Sequence, residues 1–453
     1  MSADWTRDLA TALGDCDVVT DADIVEAHAR DQAPLAPVGV ATALVRARTV
    51  EHVLTTLRFA NERQIPVVTR AAGTGLAGGA NAVDGCILLG VAALDQIRSI
   101  DPVSRLAVVE PGVLNGTLAS EAARLGLYYA PDPASREIST IGGNIATNAG
   151  GACCMKYGVT GDHVAALKVA LADGTVITTG ALTRKNVAGL DLTRLIVGSE
   201  GILGVIVEAT VRLLPAPRPS STLLAFFQTL EQAGAALVAL VGRGDLTMLE
   251  LMDQVTLAAV EERTEMGLDT TAAACLIAQC DAEGASAIIA ACADTCRAHG
   301  ADNPLCTDDP EEGRMLLSAR RMALPALERK GTTLLDDVAV PIPALPEMLR
   351  RIRNTAERHG VLVATFGHAG DGNLHPTFVF DGTDPEAIKR VNAAFAEIVG
   401  DAIALGGSLS GEHGVGSLKT PYMDAVGVEE RALMRRIKLA FDPRGILNPG
   451  KGI

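Results

Sequence analysis

A chain of 453 residues, 48% hydrophobic and 21% charged, holds enough apolar material for two or three ordinary globular domains. Its formal charge of −15 leaves no basic excess to neutralise phosphates, which excludes nucleic acid as a partner. No stretch reaches the ~18 apolar residues of a bilayer span, and "MSADWTRDLATALGDCD" lacks the basic-then-apolar pattern of a secretory signal, so the expected location is cytoplasmic, at most peripheral on the inner face of the membrane.

In chain order, Thr49 is placed to cap a helix whose apolar residues Val50, Val53, Leu54 and Leu57 recur at helical spacing. "IPVVT" (65–69) reads as a buried strand and leads into "RAAGTGLAGGANA" (70–82). That segment contains a formal G-x-G-x-x-G, the pattern of a dinucleotide turn, but the pattern needs a helix immediately after it. The continuation "LAGGANAVDG" is too rich in glycine to be one, and the strand-like run "CILLGV" (86–91) follows at once. Strand, glycine loop, strand is therefore the predicted order, with successive backbone N–H groups forming an anion-binding concavity.

Two more glycine concentrations follow. "PDPASREISTIGGNIATNAGGACCMKYG" (131–158) is rich in small polar groups and suits a flat ligand with a polar edge. "VGSEGILGVIVEATVRLLP" (197–215) is a glycine turn leading into the alternation Val205, Val207, Ala209, Val211, which predicts a strand with one buried face. Three prolines in "LLPAPRPSS" (213–221) mark a domain boundary. Beyond it lie a helix at 230–241, a core element at 285–293, and a helix over 310–330 opened by acids and Pro310, with Pro325 as its kink.

Of eight histidines, three fall in "FGHAGDGNLHP" (366–376) and "GGSLSGEHGVG" (406–416). Gly370–Asn373 cannot be helical, so a loop must bring His368 and His375 together. Two imidazoles with the Glu412 carboxylate suit zinc, or else manganese or iron. His413, adjacent to Glu412, reads better as a general base. The nine cysteines form no C-x-x-C, which points to buried thiols, with no iron–sulfur or thiolate-zinc centre.

From about residue 35 onward the chain resembles the FAD-linked 2-hydroxy-acid dehydrogenases of the vanillyl-alcohol-oxidase superfamily. The motifs that carry the likeness are "TRAAGTGLAGGAN", "GGNIATNAGG", "GSEGILG", "GHAGDGNLHP", "SGEHGVG" and "FDPRGILNPGKGI". The resemblance implies an α+β, two-domain flavoprotein. An FAD-binding domain would cover 1–217, completed by 414–453, and a cap with an antiparallel sheet would cover 218–413 and carry the metal site. Arg70, Ala72, Gly73, Thr74, Gly75, Leu76, Gly78 and Gly79 would surround the FAD pyrophosphate. Pro133, Ser135, Gly142, Gly143, Asn144, Thr147, Asn148, Gly150 and Gly151 would line the flavin and its ribityl chain. Glu200, Gly201, Gly204 and Ile206 would lie toward the adenosine. The family motif commonly has Thr where this chain has Ile202. No histidine stands in the 70–81 loop, which implies non-covalent FAD.

The resemblance also makes His368, His375 and Glu412 ligands of a divalent metal, His413 the catalytic base and Arg320 the anchor for a substrate carboxylate, against the alternative that Arg320 and Arg321 lie on a solvated helix face. A lysine and an asparagine that D-2-hydroxyglutarate enzymes use are matched here by Leu335 and Thr377, which favours D-lactate or glycolate. The implied partners are a small 2-hydroxy acid and an external electron acceptor: a quinone, a cytochrome, an electron-transfer flavoprotein or a partner subunit. A homodimer is also compatible. The rival readings are a 2-hydroxyglutarate or bulkier hydroxy-acid dehydrogenase, a zinc hydrolase and a non-catalytic FAD scaffold.

Overall fold

The Thr49 hydroxyl accepts the His52 N–H at 3.3 Å and starts the helix Val50–Arg63, as its sequence predicts. Gln64 ends that helix in the left-handed conformation, with φ 54°. Between these caps, Val53, Leu54, Leu57, Phe59 and Ala60 form the buried stripe, and they share a core with Val45, Val67, Ile87 and Leu89 of the neighbouring strands. Leu57 is fully buried, so truncating it to Ala costs about 2–5 kcal/mol. The computed structural model describes residues 5–453; the expectation that the first domain begins at residue 1 falls, for residues 1–4, outside the described residues.

Two compact units emerge. The first comprises the chain up to Gly150, Gly158–Ala216 and Glu412–Ile453. Its four-stranded sheet runs Asp17–Val19, Ala43–Arg46, Ile87–Gly90, Val67–Arg70, with the last three strands parallel. A parallel pair needs a crossover, usually a helix. Here the glycine segment makes the crossover between Arg70 and Ile87 without any helix, as its composition predicts. The second sheet of this unit is antiparallel: Ile97–Asp101, Leu106–Val109, Val205–Arg212, Val164–Ala170, Val176–Gly180. Val205–Arg212 is its central strand, and six of its eight residues are buried, on both faces rather than on the one face that alternation implied.

The second unit comprises Gly151–Tyr157 and Pro217–Gly411. It is built on an eight-stranded sheet whose paired strands are all antiparallel, running Asp302–Thr307, Ser221–Phe227, Ala274–Cys280, Met248–Asp253, Leu362–His368, Asn373–Phe380, Thr332–Leu335, with Val338–Ala339 also on Asn373–Phe380. Gly151–Tyr157 joins it because the buried Asp281 carboxylate accepts hydrogen bonds from Lys156 Nζ and the Tyr157 hydroxyl, and also from the Thr247 hydroxyl at 2.6 Å. The helix opened by Pro310 runs to Arg321, breaks at Met322 and resumes over Ala323–Glu328. The break falls one turn before Pro325, at the Arg321 carbonyl that its missing N–H would otherwise have bonded, and Pro325 itself lies in the first turn of the new helix. Among the described residues no helix is long and apolar enough to cross a membrane.

Candidate active site

His368 ends the strand Leu362–His368 and His375 lies near the start of Asn373–Phe380, so a four-residue turn, Ala369–Gly372, folds them into a hairpin. In the register Phe366 faces His375 and His368 faces Asn373, which puts both imidazoles on one face of the sheet. Their ring centroids are 5.1 Å apart and nearly perpendicular, at 86°. Gly372, at φ +88°, makes the turn possible, and a side chain there would also overlap the Val340 carbonyl.

Each imidazole has a carboxylate beside its Nδ1. Glu250 Oε1 is 2.7 Å from His368 Nδ1, and Asp337 Oδ1 is 3.7 Å from His375 Nδ1. Both carboxylates are 1% exposed. The Glu250 carboxylate holds a proton on His368 Nδ1 and leaves its Nε2 lone pair outward, the arrangement that ligating histidines use, whereas Asp337 stands beyond hydrogen-bond reach of His375 and acts on it through charge. Burial raises the Glu250 carboxyl, but the opposing charges of His368 and Arg320 outweigh it and hold the group below its ordinary value. No motif pointed to Glu250 or Asp337. The apolar runs that hold them, "MLELMD" and "LLDDVAV", each hold a second acid as well, so no local signal singles either residue out.

Arg320 is 8% exposed and not on a solvated face. Its Nε lies 2.7 Å from Glu250 Oε2, an off-axis ion pair, and its guanidinium carbon lies 4.6 Å from the centre of the Phe366 ring. Leu335 and Thr377 are direct cross-strand partners.

Glu412 and His413 open the last segment of the first unit, with Glu412 Oε1 3.7 Å from His413 Nε2. They directly follow Gly411, whose N–H is donated to Asp337 Oδ2 at 2.8 Å, while the Ser410 hydroxyl donates to the same oxygen at 2.8 Å. Asp337 Oδ1 accepts from the Asn373 amide at 2.7 Å. One buried carboxylate therefore fixes the strand end beside His375 and the last residues before Glu412.

In the first unit, Gly73 and Gly78 are the glycines that the crossover requires. Both have positive φ, and a Cβ would overlap the Arg70 guanidinium at Gly73 and the Ser417 hydroxyl at Gly78. Arg70 donates to the Arg30 carbonyl at 2.7 Å, and burial lowers its pKa from the ordinary guanidinium value. Ala72 is exposed and Gly73, Thr74, Gly75 and Leu76 are half-buried, so the loop crest is open. The Gly75, Ala77 and Gly79 carbonyls are tied back to Gln32, Leu418 and Asn448.

Within Ile141–Thr147, the Thr140 hydroxyl caps the Gly143 N–H at 3.2 Å and Gly142 packs tightly on Pro111. Asn144 accepts from Asn115 at 3.0 Å, the Thr147 hydroxyl donates to the Gly143 carbonyl at 3.3 Å, and Asn148, left-handed at φ 52°, accepts the Gly161 N–H at 2.8 Å. Pro133 and Ser135 belong to the preceding turn, where their carbonyls accept from Arg136 and from Ile138 and Ser139. Gly150 and Gly151 fall on either side of the division between the units.

The third group is deeper. The Glu200 carboxylate accepts the Val415 and Gly416 N–H groups at 2.8 and 2.7 Å, and burial pushes its pKa above the ordinary value. Gly204 packs against Val169, and the Ile206 side chain lies in the core with Val109 and Leu167. What Glu200 and Ile206 offer a ligand is therefore backbone. Sequence reasoning missed Asn448, which donates to the Gly79 and Glu200 carbonyls at 2.9 and 2.7 Å, and Lys451, which donates to the Asn81 carbonyl at 2.6 Å.

A parallel glycine crossover in one unit and a large antiparallel sheet in the other define a class of two-domain flavoprotein, and comparison with known proteins agrees. Residues 216–452 match the family "FAD linked oxidases, C-terminal domain", and residues 41–180 match "FAD binding domain". The chain belongs to the FAD-linked oxidase family. It is 41% identical to "Glycolate oxidase subunit GlcD" of Bacillus subtilis (strain 168), covering 90% of this chain and 88% of that one. It is 36% identical to "D-lactate dehydrogenase" of Archaeoglobus fulgidus, covering 90% of each. Its fold is that of p-cresol methylhydroxylase, which superposes with a TM-score of 0.82 at 20% identity, over 99% of this chain and 96% of that one. The protein is thus an FAD-linked oxidoreductase.

Proposed function

We propose that this flavoenzyme oxidises a D-2-hydroxy monocarboxylate, D-lactate or glycolate, to the 2-oxo acid with the help of a divalent metal. The observation that carries the reading is the pair of facing imidazoles, each backed by a buried carboxylate, beside a buried arginine. Two relatives point to the same substrate class through their names, a glycolate oxidase subunit and a D-lactate dehydrogenase. The residues fit FAD: the open crest at 72–76 and the overlap any side chain would cause at Gly73 and Gly78 suit a pyrophosphate drawn close to the backbone. Arg70 adds a positive charge at that loop, and the backbone and short side chains of 133–151 serve the flavin. They fit zinc as well, since two Nε2 donors and a carboxylate from Glu412 make the nitrogen and oxygen set of an open, catalytic site.

Bound FAD supplies the hydride acceptor, and a bound divalent ion supplies Lewis acidity at the substrate oxygens. The chain does the rest. His368, His375 and Glu412 hold the ion. Arg320 takes the substrate carboxylate through its two terminal nitrogens and so fixes the substrate's orientation. His413 accepts the α-hydroxyl proton at its imidazole as the C–H bond breaks. Leu335 and Thr377 offer no cation for a second carboxylate, which disfavours 2-hydroxyglutarate. Electrons then leave to an external acceptor, a partner subunit by analogy with the GlcD name.

An anaerobic absorption spectrum, recorded before and after addition of D-lactate, L-lactate, glycolate and D-2-hydroxyglutarate, tests the assignment. Bleaching of the flavin band by D-lactate or glycolate is expected. A flavin that only 2-hydroxyglutarate bleaches overturns the substrate choice, and a chain that binds no FAD overturns the reading.

A further inference from the structure

Glu250 stands in the middle of Met248–Asp253, a central strand paired on one side with Ala274–Cys280 and on the other with Leu362–His368. Its neighbours on the same sheet face, Met248 and Met252, are apolar and buried, as are all the neighbours on that strand up to Asp253. A carboxylate in such a row costs desolvation that an apolar residue would avoid, and a buried ion pair is a poor source of net stability. A use beyond stability is called for, and the two oxygens show it. Oε1 lies 2.7 Å from His368 Nδ1 and Oε2 lies 2.7 Å from Arg320 Nε.

Resting on the metal reading above, we infer that Glu250 is a positioning residue that couples metal retention to substrate-carboxylate binding. Through Oε1 it fixes the His368 tautomer and ring plane. Through Oε2 it occupies the Nε edge of Arg320, so that only the terminal pair of guanidinium nitrogens remains for a ligand. Phe366 completes the linkage: its ring lies under the Arg320 guanidinium and 5.7 Å from the His375 ring. Arg320 thus has its plane set by an aromatic face and its rotation set by a carboxylate. An end-on grip of that kind admits one planar carboxylate in one orientation. Loss of Glu250 releases both the imidazole and the guanidinium, so metal affinity and substrate affinity fall together.

The test uses the FAD-loaded full-length chain, stripped of metal with a chelator, as wild type, Glu250→Gln and Glu250→Ala. Zinc affinity is read by competition with a chromophoric chelator, and KM and kcat are read separately with D-lactate and glycolate. In Glu250→Ala, zinc affinity should drop ~10–100-fold, the scale for losing a carboxylate behind a ligating histidine, and KM should rise. In Glu250→Gln, the amide oxygen still accepts from Nδ1, so zinc affinity should lie between those of wild type and Glu250→Ala while KM still rises. Should Glu250→Ala fail to retain FAD, the near-isosteric Glu250→Gln carries the same comparison against wild type. Zinc affinity equal to wild type in the FAD-retaining variants, whatever KM does, overturns the coupling and leaves the metal reading standing. A wild-type chain that holds neither Zn²⁺ nor Mn²⁺ overturns the metal reading and this inference with it.

Discussion

The Asp337 carboxylate accepts the Gly411 N–H at 2.8 Å and thereby fixes the residue that immediately precedes Glu412 and His413. The same group holds the Asn373 amide and the Ser410 hydroxyl and faces His375. Replacing Asp337 with Ala leaves several buried donors unmet, at about 1–3 kcal/mol for each. The expected outcome is faster amide exchange over Ser408–Gly411 and loss of turnover, with FAD still bound. Exchange unchanged over that segment would show that Asp337 does not anchor it.

Gly416 tests the cofactor-side scaffold. Its φ is +51°, and a Cβ there would overlap the Ala77 carbonyl, while its N–H is donated to Glu200 Oε2 at 2.7 Å. Gly416→Ala should destabilise the chain by about 1–3 kcal/mol, the scale of backbone strain, and release FAD more readily. Thermal unfolding and the flavin content of the purified variant check this.

The glycine crossover was legible in the sequence because helix propensity alone excludes a helix over 71–86, and that exclusion fixes the kind of cofactor turn. His368, His375, Glu412 and His413 were legible because two glycine-wrapped motifs concentrate scarce histidines. Glu250 and Asp337 were not, because what marks them is burial and a partner more than a hundred or some forty residues away, neither of which a local pattern encodes. The two-sided burial of Val205–Arg212 escaped for a similar reason: alternation reports one face, and the central position in the sheet is a tertiary fact.

Asp281 gives a pH signature for the docking of Gly151–Tyr157. Burial raises its carboxyl, but hydrogen bonds from Lys156, Thr247 and Tyr157 outweigh that and leave it below the ordinary value of 3.8. A depressed folded-state pKa stabilises fully above the unfolded value and is lost as pH falls through the folded one. The stability gap between wild type and Asp281→Asn should therefore be constant from pH 7 down to about that unfolded value and close below it. A gap that widens on acidification would contradict the assignment.

The cysteines should divide by reactivity. Cys16, Cys86, Cys275, Cys280, Cys292 and Cys296 are buried, and burial pushes Cys86 to about 11 and Cys275 and Cys296 to about 12. Cys306 is exposed and Cys153 and Cys154 are half-buried. Thiol labelling of the native protein at pH 8, read by intact mass, should stop at three adducts, and full labelling should require denaturant. Rapid labelling of more than three would contradict the burial.

The most direct test of the central claim is the anaerobic stopped-flow rate of FAD reduction by D-lactate, or by glycolate if that is the better reductant, in wild type and His413→Asn at equal flavin content. If His413 takes the hydroxyl proton, reduction slows by ~100-fold or more in the variant while the flavin spectrum is unchanged. Reduction at the wild-type rate would contradict the account.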